Sequence, residues 1–233
     1  MKRRLHDNLR RIQDRIAEAA TRHGRRPEEI ALVAVTKSVG LDAIRLLLDL
    51  GHADLGESRV QQLTRRAPMI QEQIHRRQTA RLAAEAIEPI TVPRWHMIGS
   101  IQRNKVKAML GWTAMIHSID SLRLAEEIST RATKTNVTVQ ALLQVNASAE
   151  KNKHGIAVGA VTHMLEQIVS LPGLQLVGLM AMAAQSDKPD DSRPCFCRTR
   201  ELLEEVRSKG ICGQEFKHLS MGMSAYFEAA IAE

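Results

Sequence analysis

Residues 31–37 read ALVAVTK, an unbroken apolar run followed by Thr36 and Lys37, with Gly40 close behind. A run of this kind suits a strand covered on both faces, as in a parallel sheet with helices on either side. Upstream, Leu5, Leu9, Ile12, Ile16, Ala19 and Ala20 recur at helical spacing with arginines on the opposite face. That pattern predicts an amphipathic helix, and Gly24 supplies its stop. Downstream, short apolar runs at 52–55, 95–98, 115–119, 137–145, 174–182 and 218–221 alternate with helical patterns at 41–50, 58–81, 102–110, 121–133, 158–170, 198–209 and 226–232. Strand and helix in alternation predict parallel βαβ units, and hence an α/β fold of the TIM-barrel type.

With the run at 31–35 there are seven strand candidates, whereas a closed barrel of this type has eight. The eighth is therefore expected to be missing. The 233 residues suit one α/β domain spanning 1–233. No repeat, low-complexity stretch or linker divides them, and the polar loop AQSDKPDDSRP at 184–194 reads as an exposed strand-to-helix connection.

A net charge of +7 would attract anions, but aromatic residues make up only 3%, which leaves little for base stacking. With no helix-turn-helix or zinc pattern, nucleic-acid binding is not expected. No apolar run approaches the length of a membrane span and the basic N-terminus lacks a secretory core, so a cytoplasmic protein is expected. Cys195, Cys197 and Cys212 lack metal-ligand spacing and read as free thiols.

Lys37 is the first candidate for chemistry, because active sites of α/β barrels lie at the C-terminal ends of the strands. Desolvation there would favour the neutral amine, which condenses with aldehydes. Position alone leaves a second reading open, a lysine that merely extends from a strand end into water. Gly56-Glu57-Ser58 and the stretch WHMIGSIQRNK at 95–105 each place a glycine where a strand gives way to a helix, geometry suited to a phosphate or a close-packed ring. In LSMGMS at 219–224, Ser224 stands where it could cap the helix Ala225–Ala232 or hold a phosphate. None of the common nucleotide-binding or hydrolase glycine motifs is present.

Together LVAVTK (32–37), LGESRVQQL (55–63), WHMIGSIQRNK (95–105), IHSIDS (116–121), LLQVNASAEKNKHGI (142–156), LVGLMAM (176–182) and LSMGMSAYFEAAI (219–231) resemble the YggS/PROSC family of pyridoxal-phosphate homeostasis proteins. The resemblance covers nearly the whole chain. It implies a fold-type III barrel, like the N-terminal domain of alanine racemase, that binds pyridoxal 5'-phosphate (PLP) as a Schiff base on Lys37. It further implies that Ser224 contacts the phosphate with help from the Met223 backbone, that Ser58 lies near the cofactor and that His96 lines the pocket. Lys153 matches a secondary PLP-reactive lysine of some members. Ser58 stands where the family has asparagine, and Tyr226 where it has aspartate. The family's glycine-rich tail ending in V-R-I-G, which supplies the eighth strand and an arginine facing the pyridine nitrogen, would follow Glu233.

The function implied is a PLP carrier or buffer, monomeric and without catalysis of its own, that serves apo-PLP enzymes. A PLP-dependent racemase is the alternative reading. It would need a second acid/base over the ring, and the only tyrosine is Tyr226. A third reading is a truncated member that no longer binds PLP.

Overall fold

A computed structural model describes residues 2–83, 90–148, 154–184 and 189–233. The α-helices among the described residues are α1 (Lys2–Arg22), α2 (Leu41–Asp49), α3 (Val60–Ala83), α4 (Val106–Met109), α5 (Leu122–Lys134), α6 (Val161–Ile168), α7 (Arg193–Ser208) and α8 (Phe227–Ala232). The strands are β1 (Ala34–Val35), β2 (Asp54–Glu57), β3 (Arg94–Met97), β4 (Thr113–Ile119), β5 (Val139–Asn146), β6 (Ile156–Ala157), β7 (Leu174–Ala181) and β8 (His218–Ser220). All neighbours are parallel, in the order β1-β2-β3-β4-β5-β7-β8, and β6 pairs only with the end of β5.

This is the TIM-type arrangement, with seven strands on its path and two edges, β1 and β8, that no strand among the described residues joins. The seven apolar runs of the sequence are these seven strands. The unpredicted pair is Ile156–Ala157, too short to show a pattern. Gly155 precedes it with φ +122°, and a Cβ there would lie 2.8 Å from the Asn146 backbone nitrogen. Only glycine permits that approach.

The main core lies between the sheet and its helices: Leu55, Met97, Ile116, Leu143 and Leu179 from the strands meet Ile44, Leu63, Ile70, Ile128 and Leu165 from the helices. Helix α1 buries Ile16, Ala19 and Ala20 against Ile231 of α8. It ends where Gly24 turns to φ +69°: the Arg25 amide reaches the Ala20 carbonyl at 2.9 Å, and the Gly24 amide reaches Thr21 at 3.1 Å. Those are the two bonds of a Schellman stop. Helix α7 begins at Arg193, five residues before the start expected from apolar spacing, and absorbs Pro194. Proline within the first turn lacks only an amide that would have no helical partner there, so it starts a helix rather than breaking one. No helix among the described residues is long and apolar enough to cross a membrane.

Candidate functional site

Because every strand is parallel, the residues that follow β1, β2 and β8 share one end of the sheet. Lys37, Ser58, Met223 and Ser224 all follow strands at that end, the first two near the β1 edge and the last two after β8 at the other edge. Lys37 is exposed, and its amine has no hydrogen-bond or ion-pair partner among the described residues. The burial expected of a lysine at a barrel mouth is therefore not found: β1 is an edge strand, and although Ala34 packs against the core, Val35 is 45% exposed.

The backbone around Lys37 is held firmly. Arg66 of α3 donates from Nη1 to the Thr36 carbonyl at 2.7 Å and from Nη2 to the Val39 carbonyl at 2.6 Å. The same Nη1 is 2.5 Å from Glu57, whose other contact is the Thr36 hydroxyl at 2.6 Å. Glu57 is completely buried, so its charge requires this pairing.

Ser58 is half-buried next to Gly99. A Cβ on Gly99 would lie 2.1 Å from the Ser58 carbonyl oxygen, so the two strand-end turns can meet only through a glycine. The Ser118 hydroxyl, donating to the Gly99 carbonyl at 2.7 Å, fixes this contact.

After β8 the chain turns at Gly222, φ +82°, where a Cβ would meet the Phe227 Cα at 2.9 Å. Met223 is 45% exposed and Ser224 is also exposed. Ser224 is not a helix cap. Helix α8 starts at Phe227, Tyr226 occupies the cap position, and no side chain caps it. The amide of Tyr226 bonds the Met223 carbonyl at 2.9 Å, so a turn intervenes and moves Ser224 off the helix end. Its hydroxyl has no partner among the described residues.

His96 lies lower, inside the barrel. Its neighbours Trp95 and Met97 face the helices, and strand alternation turns His96 inward. There it begins a sequence of contacts that the sequence did not reveal. His96 Nε2 is 3.0 Å from an Asp54 carboxylate oxygen, and its Nδ1 is 2.9 Å from His117 Nε2. His117 Nδ1 is in turn 2.8 Å from the Ser220 hydroxyl. Arg94 closes the far end with two bonds to Asp54, at 2.7 and 2.5 Å.

The ionisation states give this row a polarity. Burial, aided by the neighbouring His96 and His218, pushes His117 down to about 3. His96 is also lowered, by burial and by Arg94, against the pull of Asp54. Burial raises the Asp54 carboxyl, but the hydrogen bonds from Arg94 and His96 outweigh it and hold the group below its usual range. A carboxylate can only accept, so His96 donates from Nε2. His96 Nδ1 then accepts from His117 Nε2–H, and His117 Nδ1 accepts from the Ser220 hydroxyl.

A cavity of about 370 Å³, lined by Asp54, Arg94, His96, Met115, Leu142 and Ser220 among others, opens at the N-terminal end of the strands, opposite Lys37. A second, of about 400 Å³ between α2 and α3, touches none of the candidate residues.

Tyr226 is buried in a cluster with Ala181, Ala183, Cys195 and Phe196, its ring 6.0 Å from that of Phe196. Lys153 lies outside the described residues. His117 and Ser220 fall in IHSIDS and LSMGMS, and their inward alternation was the signal available for them. Arg66 and Asp54 carried no signal, because a helix arginine and a strand-start aspartate are ordinary surface residues.

Parallel strands with an N-terminal helix and a lysine after β1 define a barrel of the alanine racemase N-terminal-domain class, and the sequence profile of that family, "Alanine racemase, N-terminal domain", matches residues 7–233. Within that class the chain belongs to the family of pyridoxal phosphate homeostasis proteins. It is 34% identical over 227 residues to the pyridoxal phosphate homeostasis protein of Aquifex aeolicus, covering 97% of this chain and 91% of the relative. It is 32% identical over 230 residues to that of Escherichia coli, covering 97% and 88%. Among solved structures, PipY of Synechococcus elongatus with PLP bound superposes with a TM-score of 0.74 at 25% identity, covering 93% of each chain. Alanine racemase of Clostridium difficile shares the fold alone, with a TM-score of 0.68 at 12% identity over 97% of this chain and 52% of the racemase.

Proposed function

We propose that this chain carries or buffers PLP as a Schiff base on Lys37, within one α/β domain and without catalysis of its own. The observation that carries the reading is the exposed, unpartnered Lys37 amine at the C-terminal rim of a barrel whose counterpart in PipY was solved with PLP bound. The residues present fit the group. In its neutral form the Lys37 amine can add to an aldehyde carbon and release water. The Ser224 hydroxyl, which caps no helix, would donate to the phosphate, and the glycine turn at 222 leaves the Met223 and Ser224 backbone free to approach it. Ser58, on the Gly99 contact, would border the ring, and His96, which faces the lumen rather than the rim, would act on the pocket only indirectly, through His117 and Ser220. When bound, the cofactor supplies the reactive aldehyde that a carrier would hand to apo-PLP enzymes.

Two observations favour a carrier over a racemase. Racemisation needs an acid/base group on the far face of the ring, and the one tyrosine of the chain is packed into an apolar cluster. The relatives at 32–34% identity, from Aquifex aeolicus and Escherichia coli, are named pyridoxal phosphate homeostasis proteins, and the racemase shares only the fold. A cytoplasmic monomer completes the reading.

The test is to add PLP to the protein and to Lys37→Ala, record the visible spectrum, reduce with borohydride and map the labelled peptide. A band present only in the wild type, with label on Lys37, is the expected result. Label on Lys153 instead, or no band from folded protein, would overturn the assignment. Turnover of L-alanine to its enantiomer would reject the carrier reading in favour of the racemase.

A further inference from the structure

We infer that Arg66 is a positioning residue for the Lys37 amine, setting the loop that carries it from the adjoining helix. The inference rests on the PLP reading above. Its basis is that α3 holds carbonyls on both sides of Lys37: Arg66 takes those of Thr36 and Val39, and the Gln62 amide donates to the Lys37 carbonyl itself at 3.3 Å. Val39 returns its own amide to the Thr36 carbonyl at 3.1 Å, closing a turn around the lysine.

Chemistry explains why an arginine performs this role. Three acceptors, two carbonyls and the Glu57 carboxylate, lie within reach of one planar fork, and a guanidinium presents its donors in a fixed plane. Glu57 is wholly buried and its second oxygen has no hydrogen-bond partner among the described residues, so its negative charge is a strong anchor for Arg66. The anchor reaches the loop a second way, through the Thr36 hydroxyl at 2.6 Å. β1 is only two residues long and lies at a sheet edge, so its ladder alone does little to fix the residue that follows it. A reactive amine placed by such a strand needs an external support, and the Glu57–Arg66 pair supplies it. What the clamp sets is the backbone from which the amine extends.

Arg66→Lys tests this. A single ammonium can still pair with Glu57, so the fold survives, but it cannot hold the Thr36 and Val39 carbonyls together. Amide hydrogen exchange over residues 37–39 should then accelerate about tenfold. The visible band that forms on mixing with PLP should appear about tenfold more slowly. Binding of pyridoxine 5'-phosphate, which has an alcohol in place of the aldehyde and needs no amine, should be unchanged. Should Arg66→Lys fail to fold, Glu57→Gln with Arg66→Gln removes both charges, leaves none buried and unpaired, and should show the same pattern. A folded variant with unchanged exchange, or with faster exchange but an unchanged rate of band formation, overturns the positioning role. Equal losses for PLP and pyridoxine 5'-phosphate overturn it too, because the defect would then lie in the pocket as a whole. Wild-type protein without a Lys37-dependent band sinks the PLP reading, and this role with it.

Discussion

The two ends of the barrel treat polar groups in opposite ways. In the lumen, Asp54, His96, His117 and Ser220 hand hydrogen bonds from one to the next over distances of 2.8–3.0 Å, and Arg94 closes the far end. At the C-terminal rim the Lys37 amine and the Ser224 hydroxyl have no partner among the described residues. A buried polar group without a partner costs about 1–3 kcal/mol, whereas an exposed one costs little because water satisfies it. The lumen therefore needs its network simply to exist, while the rim can leave reactive groups uncommitted. Groups that stabilise the fold and groups available for chemistry are thus separated along the barrel axis.

Breaking the comparison at its most reactive point gives the largest effect. Lys37→Ala should abolish the PLP-dependent visible band altogether. Because the side chain is exposed and unpaired, the midpoint of urea unfolding should move by no more than about 0.5 kcal/mol equivalent. A large stability loss would mean that the rim is structural after all.

Acid attacks the other end. His117, held down to about 3, and His96, also lowered, are neutral in the folded protein but take up protons when unfolded. A histidine with a depressed folded pKa gives its full stability above the unfolded value near 6.5 and loses it as pH falls toward the folded one. Asp54 has the same sign, since its lowered carboxyl protonates more readily in the unfolded chain. Stability should therefore fall by about 1.4 kcal/mol per pH unit for His117 between about pH 6 and pH 3, with His96 adding to the loss in the same direction as the pH drops below the unfolded value. Urea unfolding across that range measures the slope, and a flat profile would contradict a neutral buried pair.

Replacing His117 sharpens the contrast. His117→Ala leaves His96 Nδ1 and the Ser220 hydroxyl facing a void, and should cost about 2–4 kcal/mol. It should also flatten the acid slope, which an unspecific packing defect would leave intact. The smallest effect belongs to Ser224→Ala. It should weaken PLP binding about tenfold, the value of one charge-assisted hydrogen bond, without shifting the unfolding midpoint. Titration with inorganic phosphate as a competitor shows whether the loss lies at the phosphate.

How far the sequence could be read follows the same division. The central strands were legible because they are covered on both faces and so form apolar runs, and the parallel order followed from alternation with helices. The rim was legible because strand ends carry glycines and small residues in recognisable stretches. Lumen contacts were not, since a histidine facing inward in IHSIDS looks the same as one facing a helix until the register is known. Arg66 was hidden for another reason: its three acceptors are a carboxylate and two backbone carbonyls, and backbone carbonyls leave no trace in a sequence. The start of α7 was misplaced because residues 184–194 read as one polar loop, when Pro194 in the first turn acts as an initiator.

The clamp on Lys37 has a consequence for how the protein comes to be active. Every contact that fixes the loop joins residues between Thr36 and Arg66, separated by at most 30 positions. Closing so short a loop carries a modest entropic cost that rises only with the logarithm of its length. The loop that carries Lys37, the lysine proposed to hold PLP, is therefore fixed by its own neighbourhood, in a segment that can organise before β7 and β8 are in place. Ser224 depends on the last strand and on the sheet reaching it. On the proposed reading, the amine is set by local order and the phosphate contact by completed topology, so the handle exists on the chain before the seat does.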